Sequence, residues 1–182
     1  RDEVYLFAAD GSGNLTRYMH AYSFGASANG VSLGRERNSF GGEFFVPRLS
    51  PTPNAPNSAI RIGPVVVTEL MFQPAGVGAF DNTRDEFIEI RNNSSEWVSL
   101  YDPAHPTNTW RIRGGADFDF PENVSLPPGG ILLVVNLDPL LEPWAINEFR
   151  ARFSVPAQIP IYGPLSDKLS NSGEEVSLQG PD

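Results

Sequence analysis

Residues 30–34 (GVSLG) match the G-x-S-x-G pattern that presents a serine nucleophile on a tight turn in many hydrolases. That turn must join a strand to a helix, but residues 35–40 (RERNSF) lead into a pair of glycines without a helical pattern. A catalytic triad also needs a histidine, and the sequence offers only His20, in a predicted strand, and His105, between prolines. The motif therefore predicts a hairpin strand and not a catalytic serine.

Glu86 and Glu89 are the pair that could act as the two carboxylates of a glycosidase. Residues three apart on a strand point to opposite faces of a sheet, so these two side chains cannot flank one glycosidic bond. We expect Glu89 to bond to an arginine on a neighbouring strand or to backbone amides. With two histidines and no cysteine, a zinc site is disfavoured as well. We therefore predict that the chain is not an enzyme.

Oxygen ligands that calcium could use are concentrated in two places. Asp81 and Asp85 belong to one polar loop, and Asp117 and Asp119 share a face of a predicted strand because they are two residues apart. Calcium takes about six to eight oxygen ligands. Arg84 lies inside the loop, and the spacing typical of calcium-binding loops is missing from the sequence. A solvated acidic loop is the favoured interpretation, and calcium binding by these aspartates is the weaker one.

Two aromatic and two basic residues could bind a ligand on a β-surface. Trp97 and Trp110 could stack on sugar rings, and Arg35 and Arg37 could bind a carboxylate from one strand face. Tryptophan more often belongs to the core of a sandwich, and paired arginines more often bond to glutamates on neighbouring strands. We expect both pairs to be structural.

The composition restricts the class of protein. Of 182 residues, 17 are glycine and 17 are proline, which disfavours long helices, while 12 phenylalanines spread along the chain disfavour disorder. Thirteen basic residues against 22 acidic ones give a net charge of −9, without the basic stripe that nucleic-acid binding needs. We expect no membrane span, because the chain has no apolar run of roughly 18 residues. Arginine at position 1 suggests a mature or excised fragment.

Short apolar segments separated by glycine, proline and asparagine predict an all-β sandwich or barrel. One segment, 143–153, predicts a single short helix, since Pro143 suits its first turn and Pro156 follows its end. We expect this helix to cover an open edge or end of the sandwich. The predicted strands are residues 3–8, 15–24, 31–35, 44–46, 65–72, 87–90, 97–100, 109–112, 117–120 and 131–135.

The two ends of the chain have similar sequences. Residues 1–10 (RDEVYLFAAD) align with residues 173–182 (GEEVSLQGPD), with Glu, Val, Leu and Asp recurring at the same spacing. A fragment cut inside a tandem repeat would have this property. Residues 3–8 and 174–179 would then occupy equivalent sheet edges, and strands could be exchanged between chains.

Several motifs together resemble the lamin-tail family. They are residues 66–71 (VVTELM), 85–92 (DEFIEIRN), 97–100 (WVSL), 120–129 (FPENVSLPPG) and 169–178 (LSNSGEEVSL). The first 57 residues resemble the end of such a domain, with Asn54 where glycine is usual, and the 76–84 loop is longer than in the family. The resemblance implies an immunoglobulin-like β-sandwich without catalytic residues, found in bacteria in large exported or surface proteins.

These observations give one prediction for the whole chain. Residues 1–57 are the closing strands of one lamin-tail unit, 58–63 a linker and 64–182 the main body of the next unit, or the whole chain forms one combined sandwich. We expect a non-catalytic, extracellular or cell-surface bacterial module that serves as a spacer, an adhesion element or a protein-interaction domain. Its partners would be a protein or cell-surface component, neighbouring domains or an exchanged copy. The alternative is a calcium- or carbohydrate-binding accessory domain attached to an enzyme.

Overall fold

The computed structural model describes residues 2–25, 27–76 and 80–181, and the protein is mostly β. Strands account for 41% of the described residues and helix for 8%, which confirms the β-rich class predicted from the turn residues. The chain divides into two compact parts, unit 1 (Arg1–Ile62) and unit 2 (Gly63–Asp182). No helix among the described residues is long and apolar enough to cross a membrane.

Unit 1 consists of two antiparallel hairpins. Asp10 closes the first turn, where its carboxylate accepts hydrogen bonds from the backbone amides of Ser12 and Asn14, both at 2.9 Å. Asn38 closes the second in the same way, by accepting a bond from the Gly42 amide at 2.7 Å. Such side-chain bonds to nearby amides favour turns over regular structure. The strands are β1 (Asp2–Ala9), β2 (Leu15–Phe24), β3 (Leu33–Arg37) and β4 (Glu43–Pro47).

Arg48 holds the proline-rich end of unit 1 against the second hairpin. Its side chain is 4% exposed, donates to the Ser58 carbonyl at 3.1 Å and lies 2.9 Å from a carboxylate oxygen of Glu36. In the predicted linker, the Ala59 carbonyl accepts a bond from Leu49, and the Arg61 amide donates to the Pro47 carbonyl. This segment is therefore bonded to the hairpin.

In its described residues, unit 2 contains two larger sheets, two short strand pairs, an α-helix and a 3-10 turn at Thr83–Asp85. The four-stranded sheet has the order β14-β13-β6-β5, and the three-stranded sheet has the order β11-β10-β15. Shorter pairs are formed by β7 with β12 and by β8 with β9. The elements are β5 (Val65–Met71), β6 (Phe87–Asn92), β7 (Val98–Ser99), β8 (Tyr101–Asp102), β9 (His105–Thr109), β10 (Arg111–Gly114), β11 (Phe118–Asp119), β12 (Ser125–Leu126), β13 (Ile131–Val135), α1 (Pro143–Phe153), β14 (Ile161–Tyr162) and β15 (Val176–Gln179).

Strand β13 is buried on both faces of the four-stranded sheet, because it carries apolar residues at successive positions. Ile88 and Ile90 point into the first core cluster, which also contains Ile112 of β10. Phe87 on the opposite face belongs to the second core cluster, where Phe149 of α1 packs against it. The first cluster therefore lies between the two larger sheets, and the second lies under the helix.

Helix α1 covers a face of the four-stranded sheet, and the expectation that it covers an edge or end is wrong. Its bounds agree with the prediction, and it is followed by the C-cap residue Ser154, which is left-handed with φ of 55°. Ala145, Ile146 and Phe149 are spaced on one side of the helix and are buried in the second core cluster. The sheet offers an apolar outer face, so the helix buries more surface there than it could along an edge.

Candidate interaction site

The β1–β2 hairpin exposes apolar side chains on both of its faces. Val4 and Leu6, on one face, are 59% and 63% exposed, and Tyr5, on the other, is 55% exposed. Each buried apolar side chain found in the described part of the chain lies in unit 2. A two-stranded hairpin cannot bury its own faces, so apolar residues placed there stay in contact with water until another surface covers them.

An apolar cleft of about 420 Å³ opens beside this hairpin within unit 1. Val4 pairs with Tyr22 across the hairpin, so both side chains lie on one face. The Tyr22 ring stacks on Phe45 at 4.0 Å between centroids, and its hydroxyl oxygen accepts a hydrogen bond from the Phe45 amide at 3.2 Å. The lining residues are Val4, Tyr22, Phe24, Gly25, Ser27, Val31, Leu33 and Phe45. We define this cleft and the Val4–Leu6 face together as the hairpin surface.

A small charged group in unit 1 connects β2, β3 and β4. Glu43 bonds to Arg35, and its carboxylate lies 4.0 Å from Arg37 and 3.5 Å from His20. The bond from Arg35 is the main cause that lowers the pKa of Glu43. The expectation that the arginine pair bonds to a glutamate on the neighbouring strand is confirmed, since Glu43 forms an ion pair with each arginine.

Asp81 and Asp85, the calcium candidates of the polar loop, bond to basic side chains from distant segments. Asp81 accepts bonds from Asn171 at 3.1 Å and Lys168 at 3.0 Å, in that order the main causes of its lowered pKa. Asp85 is buried and bonds to Arg152 of α1. Both carboxylates therefore fasten the loop to the rest of unit 2.

Asp117 and Asp119, the second calcium pair, are exposed and have separate bonds. Asp119 lies 2.5 Å from Arg113 on the neighbouring strand β10. The Asp117 carboxylate accepts a bond from the Gly114 amide at 3.3 Å. Within residues 2–25, 27–76 and 80–181, no group of three or more acidic or histidine side chains is arranged to hold a metal ion.

Glu86 is a polar residue whose environment the sequence did not reveal. Its side chain is fully buried, and one carboxylate oxygen accepts a hydrogen bond from the Leu169 amide at 2.8 Å. Burial raises the pKa of Glu86. Glu89 lies on the opposite face of β6, as predicted, but it bonds to the Thr68 hydroxyl at 2.6 Å and not to the expected arginine or backbone amides.

The serine motif and the histidines occupy hairpin positions. Gly30 has φ of 77° in a turn, and the Ser32 carbonyl accepts a bond from the Arg48 amide. The motif continues into β3, which turns back into β4, so a strand follows where a nucleophile turn requires a helix. The predicted hairpin strand is confirmed. His105 bonds to Asp102 at 2.8 Å and is the main cause of the lowered pKa of that carboxyl.

The two tryptophans of interest differ in burial. Trp110 packs against the first core cluster, as expected. Trp97 is 69% exposed, so the expectation that it belongs to the core is wrong. It follows a turn in which the Asn92 side chain bonds to Ser94 and Glu96, and this turn keeps residue 97 outside the sheets.

No family model matches the chain, and no curated protein matches it.

Proposed function

We propose that this chain is a non-catalytic module of the lamin-tail, immunoglobulin-like type, carried at the bacterial cell surface by a larger exported protein. In this proposal it serves as a spacer, an adhesion element or a protein-interaction domain. The observation that carries the proposal is the hairpin surface, because exposed apolar patches of this kind mark interaction sites in folded proteins. Most residues that could do chemistry are, in addition, engaged in structural bonds within the unit that contains them.

The layered arrangement of unit 2 supports an immunoglobulin-like sandwich. Ile88 and Ile90 of one sheet and Ile112 of the other contribute to a single core cluster. Two antiparallel layers enclosing alternating inward residues are typical of that architecture. The parallel strand β14 is added at an edge of the four-stranded sheet, and the helix α1 packs on the outer face of that sheet.

Two residues of the lamin-tail motifs have structural roles that support the family proposal. Asn92 closes the DEFIEIRN segment, is fully buried, and donates to the carbonyls of Glu96, Leu126 and Pro127. Asn54, at the position where the family usually has glycine, has φ of 61°. Asparagine tolerates this left-handed conformation better than most residues, so the substitution preserves the turn.

A carbohydrate- or calcium-binding accessory domain is the second candidate. Trp97 favours the carbohydrate version, because an exposed indole ring can stack on a sugar. Asp81 is the partly exposed member of the loop pair and would be the first calcium ligand to test. Binding there would have to compete with Lys168.

Thermal melting of the purified chain with calcium, and separately with a panel of glycans, distinguishes the two candidates. A ligand present at 100 times its dissociation constant adds about 2.7 kcal/mol to stability, which produces a saturating rise in Tm. We expect no such rise. A saturating rise that is lost in Trp97→Ala with a glycan, or in Asp81→Asn with calcium, would establish the second candidate. Glu122→Gln, at an exposed site, is the control for nonspecific charge effects.

A further inference from the structure

The two similar segments at the ends of the chain each form a strand, one in unit 1 and the other in unit 2. Residues 3, 4 and 6 (Glu, Val and Leu) recur 172 positions later, at 175, 176 and 178. The first set belongs to β1, which pairs antiparallel with β2, and the second leads into β15, which pairs antiparallel with β10. The same spacing therefore forms the same kind of strand twice.

The two strands differ in what covers their apolar face. Val176 and Leu178 of β15 are partly buried and pack against the first core cluster. Val4 and Leu6 of β1, at the corresponding positions, are more than half exposed. The valine and leucine side chains are the same in both strands, so the difference in their exposure comes from the surface that unit 2 provides for β15. The surface of unit 2 against which β15 packs therefore also fits the exposed face of β1.

β1 is also the stronger strand of the two. It spans eight residues, against four for β15. Between the shared Val and Leu it carries Tyr5 where β15 has Ser177, and aromatic residues favour strands more than serine does. β15 is the last strand of the described chain and lies at a sheet edge, where β10 is its strand partner, and edge strands near a terminus are among the first to open locally.

The charges of the two units favour contact between unlike units. Unit 1 has six arginines and five acidic residues, a net charge of +1. Unit 2 has seven basic and 17 acidic residues, a net charge of −10. Two copies of unit 2 repel each other, whereas unit 1 approaches unit 2 without that penalty.

We propose that β1 of one chain replaces β15 in a second copy of the chain. β1 then pairs with β10, Val4 and Leu6 cover the first core cluster, and β2 becomes the next strand of the sheet. This contact is head-to-tail, because each copy donates unit 1 and accepts through unit 2, and it builds rings or open chains. The inference rests on the proposed function for the role of the hairpin surface, and it identifies the partner as the chain itself.

Disulfide trapping tests the register directly, since the chain has no cysteine. Arg113 pairs with Ser177 in β15, and Tyr5 takes the place of Ser177 after exchange. A chain with Tyr5→Cys is mixed with a chain carrying Arg113→Cys and oxidised mildly. We expect a disulfide-linked heterodimer. The matched control replaces the second chain with one carrying Glu122→Cys, an exposed position elsewhere in unit 2, and should give no heterodimer above background.

A double variant with both cysteines in one chain separates exchange from closure. Formation of a crosslinked monomer, without crosslinked dimers or larger species, would overturn the proposal of a second copy. Equal heterodimer yields with Arg113→Cys and Glu122→Cys would overturn it too. Neither result affects the calcium and glycan measurements, so failure of this inference is distinguishable from failure of the proposed function.

Sedimentation equilibrium provides an independent measurement on the unmodified chain. We expect its mean mass to rise with concentration, and Val4→Asp combined with Leu6→Asp to abolish that rise, because charged residues cannot cover an apolar core. Phe40→Asp, at a 96% exposed turn position in unit 1, should still associate. A monomer at all concentrations would overturn the proposal. Circular dichroism confirms that the variants retain their strands.

Discussion

A β-carbon on residue 34 would lie 2.2 Å from Nε of Arg48, so Gly34 is the residue that lets the arginine side chain cross strand β3. Arg48 is buried and cannot move aside freely, since it bonds to Ser58, Arg35 and Glu36. The second glycine of the G-x-S-x-G pattern is therefore required by packing in unit 1.

Gly34→Ala should destabilise unit 1 by about 1–3 kcal/mol, because it overfills a packed site. Hydrogen exchange of the β3 and β4 amides reports this directly, and we expect faster exchange there than in the parent chain. Gly11→Ala is the matched control, because a β-carbon at Gly11 meets no atom within 4 Å. Equal exchange rates in the two variants would contradict the role assigned to Gly34.

Asn92→Ala should lower the free energy of unfolding of unit 2 by more than about 2 kcal/mol, since buried carbonyl groups lose their donors. The three tryptophans all lie in unit 2, so their fluorescence during urea unfolding follows this unit. Asn93→Ala, at the exposed neighbouring position, should change stability by about 0.5 kcal/mol or less. Similar losses in both variants would show that the Asn92 bonds are not the cause.

The ion pair between Asp85 and Arg152 should be stronger than the exposed pair between Arg84 and Glu142. Arg152→Ala leaves a buried carboxylate with the Asn82 amide as its remaining partner in the described structure, at a cost of about 1–3 kcal/mol. The Arg84–Glu142 pair is solvated on both sides and should contribute about 1 kcal/mol or less. Double-mutant cycles on the two pairs measure the coupling energies, and equal values would refute the difference.

The stability of the Glu86→Gln variant relative to that of the parent chain should increase as the pH rises. Burial raises the folded-state pKa of Glu86 above its ordinary value of 4.5, so between these two pKa values the folded chain holds a proton that the unfolded chain releases. The parent chain therefore loses stability as the pH rises through this window, and glutamine removes the loss.

Urea unfolding of both proteins across this pH range tests the Glu86 prediction. Asp81 and Glu43 have lowered pKa values, so their contributions are lost as the pH falls, but both proteins share them and they cancel in the difference. Parallel stability curves for the parent chain and the variant would exclude the assigned pKa shift.

Local patterns were sufficient for the elements that local interactions define. Strands 15–24 and 131–135 and the helix 143–153 have the bounds that the turn residues and prolines flanking them predict. Strand β14 was missed, because its two residues are held by parallel pairing with Leu133 and Val134 of β13. The β8–β9 hairpin was missed because it includes Pro106, which reads as a loop signal.

The same distinction between local and tertiary interactions applies to the residues of the candidate site. The sequence by itself determined a β-rich chain, a pair of arginines bonded across strands and a serine motif without a catalytic turn, because each depends on neighbours in the chain or on an adjacent strand. Only the tertiary structure decided that Val4 is exposed while Val176 is partly buried, that Glu86 is buried, and that Asp85 forms an ion pair with Arg152. Burial is a property of the surfaces that surround a side chain, and those surfaces come from residues far away in the sequence.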